Sequence, residues 1–183
     1  MYILGQICGI LGTVVTIIMP QFKRKNQMMV CNMLVNGLNG MNFLLIGQGG
    51  SAFYLCMVAI VQSAIAIVHE KRNTPVNILE SILFLVLYTG FGFYGMISAE
   101  GFVWALSLAN LLELLPIIGA LMLMLSVFSS GEQMTRGFLF LNGCCWAVYS
   151  AVTGAAVFFT AVATMISTVI ALVKFHKSQK MSQ

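Results

Sequence analysis

Charge is what this sequence has least of. Of its 183 residues only 8% are charged, against roughly 25% in soluble domains, and the acidic side chains are Glu70, Glu80, Glu100, Glu113 and Glu132 alone. With 60% hydrophobic residues and a mean hydropathy of +0.96, the chain has too little polar surface for a soluble fold, and nothing in it points to nucleic-acid binding. Histidine is equally scarce: His69 stands at the edge of an apolar stretch and His176 beyond the last one. The cysteines Cys8, Cys31, Cys56, Cys144 and Cys145 never make a C-x-x-C pair, so neither a metal site nor a cofactor is expected. There is no H-E-x-x-H, no nucleophile elbow and no pair of intramembrane aspartates, which argues against an enzyme. Met1–Met19 is apolar from its start without a basic leader, and reads as a retained helix and not a cleaved signal peptide.

Long apolar runs are what is there. Breaks rich in charge, Gly or Pro divide the chain into spans of about 2–20, 27–46, 51–69, 76–98, 102–128, 134–153 and 155–174, each near the ~20 residues that cross a hydrocarbon core. Seven crossings place Lys23, Arg24, Lys25, Lys71, Arg72, Arg136, Lys174, Lys177 and Lys180 on one face and no Lys or Arg on the other. By the positive-inside rule that face is cytoplasmic, with the amino terminus out and the carboxyl terminus in. One span more or fewer scatters these charges.

The chain also resembles itself. An offset of 106 residues aligns Gln27-Met28 with Gln133-Met134 and Asn36-Gly37 with Asn142-Gly143. One residue to either side, Ser63–Val68 meets Thr168–Val173, and Gly9 and Gly12 meet Pro116 and Gly119. Shared Asn-Gly and Gln-Met pairs are not hydrophobic coincidences. The expected fold is therefore all-α with two parallel three-helix repeats joined by a linker helix (3+1+3): a first bundle at 1–72, the linker at 73–101, a second bundle at 102–175 and a tail at 176–183. An odd linker is what lets two three-helix units lie parallel.

Pro20-Gln21 followed by a basic turn and an Asn-rich helix resembles the PQ-loop pattern of the SWEET, PnuC and PQ-loop transporter superfamily. Glu113-Leu114-Leu115-Pro116-Ile117-Ile118-Gly119, then Met134-Thr135-Arg136 and Cys144-Cys145-Trp146, resembles more narrowly the YgjV family of bacterial inner-membrane proteins. The likeness implies a 3+1+3 fold in the bacterial inner membrane and brings no substrate with it. Against the sugar carriers, the second and sixth spans lack gate prolines, and Gln62 and Ser167 stand where an asparagine pair belongs.

Polar side chains in a membrane helix are costly, and their spacing marks the face that avoids lipid. Asn32, Asn36 and Asn39 form one stripe on the second span; Asn142, Cys145 and Tyr149, with Trp146 beside them, match it on the sixth. The seventh contributes Thr160, Thr164 and Ser167, and the first Gln6, Thr13 and Thr16. Interhelical hydrogen bonding of ~0.6 kcal/mol per pair is the structural alternative for any one of them. Glu113, about 11 residues or ~16 Å into the fifth span, is a candidate proton-coupling group or substrate partner, or else a bridge to Asn110 or Gln6. Glu80, one turn into the fourth span, is expected to reach the interface. Pro20 and Pro116 are hinge candidates. Gly5 and Gly9 suit close helix approach, and Trp104 suits an interfacial anchor.

The expected pathway residues are thus Gln6, Asn36, Asn39, Gln62, Asn110, Glu113, Asn142, Trp146, Tyr149, Thr164 and Ser167. They point to a transporter or facilitator of a small polar metabolite, with the lipid bilayer as its surroundings and oligomeric state left open. The alternative is a non-transporting membrane protein that assembles with a partner and has a dry interior.

Overall fold

Apolar stretches with so little charge satisfy their backbone groups internally, as helices. The computed structural model describes residues 1–18, 25–47, 50–72, 74, 77–98, 108–128 and 132–181, and among these it contains seven helices and no strand. They are α1 (Tyr2–Ile18), α2 (Lys25–Leu45), α3 (Gly50–Arg72), α4 (Ile78–Ser98), α5 (Leu108–Phe128), α6 (Glu132–Thr153) and α7 (Val157–Met181). Each expected span coincides with one helix; Pro20 and Trp104 lie outside the described residues. On described residues α3 and α4 are long and apolar enough to cross a membrane, and shorter apolar stretches occupy Tyr2–Ile18, Asn110–Ser126 and Val157–Ile170. α2 and α6 carry more amide side chains and glycine in their place.

Local chemistry sets the helix ends. Gly47 (φ 79°) and Gly154 (φ 67°) are left-handed, a conformation that glycine adopts without a Cβ penalty. At Gly154 the Ala155 N–H donates to the Ser150 carbonyl at 3.0 Å, the closing bond of a Schellman motif. α4 opens on a capping box: Asn77 Oδ1 accepts from the Leu79 N–H at 3.3 Å, and the Asn77 N–H donates to Glu80 Oε2 at 2.9 Å. The other oxygen of Glu80 lies 2.9 Å from His69 Nε2, so the carboxylate ties the end of α3 to the start of α4.

Sequence neighbours are spatial neighbours throughout, α7 returns to pack on α1, and α3 meets α5 beside α4. The contacts give directions. Gly37 faces Ile60 while Gly40 faces Met57 and Phe53, and Gly119 faces Cys145 while Glu113 meets Tyr149, so α2 runs against α3 and α5 against α6. Gly9 faces Ala156 while Thr13 meets Thr160, so α1 and α7 run parallel. One end of the bundle therefore gathers the helix termini bearing Lys71, Arg72 and Arg136, the basic end; the turns at Gly47 and Gly154 mark the far end.

Small residues bring the helices together. α1 buries only Gly5, Gly9, Gly12 and Thr16 and turns Ile3, Ile7, Ile10, Val14 and Ile17 outward. A Cβ on Gly9 would stand 2.8 Å from the Ala156 Cβ, and one on Gly95 of α4 2.7 Å from the Ser51 Cα. Two apolar cores result. One joins α3, α4 and α5 through Leu55, Val58, Phe84, Tyr88, Ile117 and Met124. The other, around Phe43, Ala52, Cys56, Tyr149, Ala155 and Val157, sits toward the far end.

Candidate functional site

Between these cores the helices enclose a cavity of about 370 Å³, within the range of small-molecule sites. Its wall draws on every helix: Thr16 of α1, Asn32, Asn36 and Asn39 of α2, Leu55 and Cys56 of α3, Tyr88 of α4, Ala120 and Leu123 of α5, Arg136, Asn142 and Trp146 of α6, and Thr160, Thr164, Ser167 and Thr168 of α7. At 1.5 Å per residue, Arg136 lies ~6 Å and Asn142 ~15 Å from the start of α6. The cavity thus runs from near the basic end to mid-bundle.

Its far side is shut. Phe43, Trp146 and Tyr149 form an aromatic cluster, with Phe43 centroids 5.6 Å from Trp146 and 5.7 Å from Tyr149, and Trp146 edge-on to Tyr149. Beyond it two side chains bridge helices distant in sequence. Gln6 Nε2 donates to the Gly154 carbonyl at 2.9 Å while its Oε1 accepts from the Ala156 N–H at 2.8 Å. Glu113 Oε2 accepts from Ser51 Oγ at 2.7 Å, and Oε1 accepts from the Tyr149 hydroxyl at 3.0 Å. Asn42 Nδ2 donates to the Gly5 carbonyl at 2.6 Å. Side-chain hydrogen bonds that join 1–72 to 108–181 in the far half of the bundle include those of Gln6, the Ser51–Glu113 contact and the Thr13–Thr160–Gly9 group.

Of the residues picked out from sequence, Asn36, Asn39, Asn142, Trp146, Thr164 and Ser167 come together on the cavity wall. Gln6, Glu113 and Tyr149 lie in the seal instead. Gln62, buried on α3, accepts at Oε1 from the Tyr88 hydroxyl at 2.6 Å, and so sits behind the wall that Tyr88 forms. Asn110 is half-buried one turn before Glu113 and does not line the cavity. Pro116 is fully buried inside α5. Glu113 also differs from its expected surroundings: its partners are Ser51, the second residue of α3, and Tyr149, one turn from the end of α6, which brings it closer to the far end than to the midplane. Gln6 is committed to the α6–α7 turn. Sequence reasoning missed Ser51 and Tyr88; a lone tyrosine in the apolar run of α4 and a serine directly after Gly50 were the available signals.

No curated protein and no solved structure matches the chain. The family model Imp-YgjV, described as bacterial inner membrane protein, matches residues 3–179. With nearly its whole length inside that match, and helices that turn isoleucines outward while gathering asparagines within, the chain belongs to the Imp-YgjV family of bacterial inner membrane proteins.

Proposed function

We propose that the protein carries a small polar metabolite across the bacterial inner membrane by alternating access between 1–72 and 102–175. The observation that carries this reading is a cavity built from both halves, with amide and hydroxyl side chains set in an otherwise apolar wall, and closed at the far end by contacts that can be remade. A component that merely assembles with a partner calls for a dry interior; asparagine and threonine around about 370 Å³ of open space speak for a pathway.

The repeat supports the same reading. At the offset that aligns Gly9 and Gly12 with Pro116 and Gly119, Gln6 corresponds to Glu113, Asn42 to Tyr149 and Gly47 to Gly154. Members of each pair do like work: Gln6 and Glu113 each bridge to the other half, Asn42 and Tyr149 each reach the helix preceding their own, and the two glycines turn the chain between corresponding helices. Exchanging α1–α3 for α5–α7 turns the α3·α5 contact into the α7·α1 contact, as two parallel three-helix units with α4 as linker would. The basic end is cytoplasmic on this reading, so the described conformation is the inward-facing one.

Opening the far end must break the bridges of Gln6 and Glu113. They are not chemically equal. A carboxylate that takes up a proton exchanges an acceptor for a donor, and one of its two hydroxyl partners must then accept and turn its own proton elsewhere, so Glu113 is the bridge through which a proton can favour opening. Uptake into proteoliposomes over a mixed metabolite panel tests the proposal: accumulation above protein-free vesicles, reduced about tenfold or more in Glu113→Gln, is expected. No accumulation of any compound counts against it.

A further inference from the structure

The wall of the cavity carries a pattern that selects among small polar metabolites. On the α1–α7 side the hydroxyl protons of Thr16, Thr164 and Ser167 are already spent. Thr16 donates to the Gly12 carbonyl at 2.9 Å, Thr164 to the Thr160 carbonyl at 2.9 Å and Ser167 to the Thr164 carbonyl at 2.9 Å. Thr13 and Thr160 lie 2.9 Å apart, where either hydroxyl can donate to the other, and both also reach the Gly9 carbonyl, at 3.0 and 3.5 Å. A hydroxyl whose proton is taken offers only lone pairs. Tyr88 is in the same state, its proton held by Gln62. At Thr16, Thr164 and Ser167 the wall therefore accepts hydrogen bonds from whatever faces it.

The opposing amides are not so restricted. Asn36 gives one N–H to the Asn32 carbonyl at 2.8 Å, and as an amide it keeps an acceptor oxygen and a second N–H; Asn142 adds an amide from α6 whose Oδ1 is buried without a partner. Charge is confined to the mouth. Among the described lining residues Arg136 alone is ionisable to a full charge at neutral pH, some six residues or ~9 Å before Asn142 along α6. A carboxylate, phosphate or ammonium carried to the level of Asn142 and Thr164 would meet no counter-ion, and stripping such a group of water without one is prohibitive. The volume corresponds to about a dozen waters, hence roughly a dozen non-hydrogen atoms, and Trp146 and Tyr88 supply ring faces.

We infer that the ligand of this cavity is an uncharged, ring-bearing molecule of roughly a dozen non-hydrogen atoms that presents at least two O–H or N–H donors along one edge to the oxygens of Thr16, Thr164 and Ser167. The inference rests on the carrier reading for its biological meaning, but binding alone tests it. Thermal unfolding of the detergent-purified protein is followed with matched pairs of probes: nicotinamide against nicotinate, thymine against orotate, inositol against glucuronate and benzamide against benzamidine, all at 10 mM. At least one neutral member is expected to raise the midpoint by about 2 °C or more while its charged counterpart does not. That shift should disappear in Thr164→Val, which keeps the shape and removes the oxygen, and persist in Thr164→Ser. Stabilisation confined to charged members, by no neutral member, or indifferent to Thr164→Val overturns the ligand class. Proteoliposome uptake of an anion or cation with these results would leave the carrier standing; binding of a neutral probe without uptake of it would remove the carrier and leave the ligand class.

Discussion

Glu113→Ala is expected to unseal the far end and to abolish net transport. In the wild type the carboxylate accepts from Ser51 and Tyr149, whose side chains are 0% and 1% exposed in their residues. Truncation leaves two buried hydroxyls without their acceptor, at about 1–3 kcal/mol each. Ser51 keeps a long 3.4 Å contact to the Glu113 carbonyl, so the lower part of that range suits it. A loss of roughly 2–4 kcal/mol from one conformer of a two-state carrier shifts the ratio about 30- to 1,000-fold. A cysteine introduced at Ala155 or Val157, both buried in the seal, should then react with a membrane-impermeant maleimide added from the far side, whereas in the otherwise wild-type protein it should not. Unchanged protection of both positions would show that Glu113 is not a latch. Glu113→Gln keeps one acceptor and should lie between the two.

Gly95→Ala should be the more damaging change to folding, although alanine is ordinarily the better helix former. The added Cβ would fall 2.7 Å from the Ser51 Cα, 2.8 Å from the Gly50 oxygen and 2.8 Å from the Ser51 nitrogen. These are backbone atoms and no rotamer relieves them. Overpacking of this kind costs about 1–3 kcal/mol, against a propensity gain of up to ~1 kcal/mol. The net expectation is a midpoint about 2–6 °C lower in detergent, with Glu113 losing its Ser51 partner as α3 shifts. Gly90, on the same helix with nothing within 4 Å, is the control: Gly90→Ala gains the propensity without the collision and should be neutral or slightly stabilising. If both variants shift the midpoint alike, the α3–α4 contact is looser than described.

How far sequence reasoning reached follows from the range of each signal. Helices and their ends come from local hydropathy and turn chemistry, so all seven were legible, as was the asparagine stripe of α2 that lines the cavity. Partners distant in sequence were not. The length of an apolar stretch placed Glu113 mid-membrane, but its real level is set by which residues α3 and α6 bring beside it, namely Ser51 and Tyr149. Gln62 fits a polar pathway by periodicity alone; only the approach of α4 turns it into the support of Tyr88. Gln6 reads as a polar residue on the inner face of α1, and its bond to the turn at Gly154 requires that α7 close on α1. A hydroxyl's spent proton is likewise invisible until the i−4 carbonyl is seen to take it.

A carrier of this kind requires water to reach the middle of the bundle from the basic end. The direct measurement is the reaction of single cysteines at Ser167, which lines the cavity, and at Ile166, which faces outward, in a background with the five native cysteines replaced. A membrane-impermeant thiol reagent is applied to inside-out and to right-side-out vesicles. Ser167→Cys should label readily from the cytoplasmic face only, and Ile166→Cys from neither. Labelling of Ile166→Cys with Ser167→Cys silent from both faces would contradict the account.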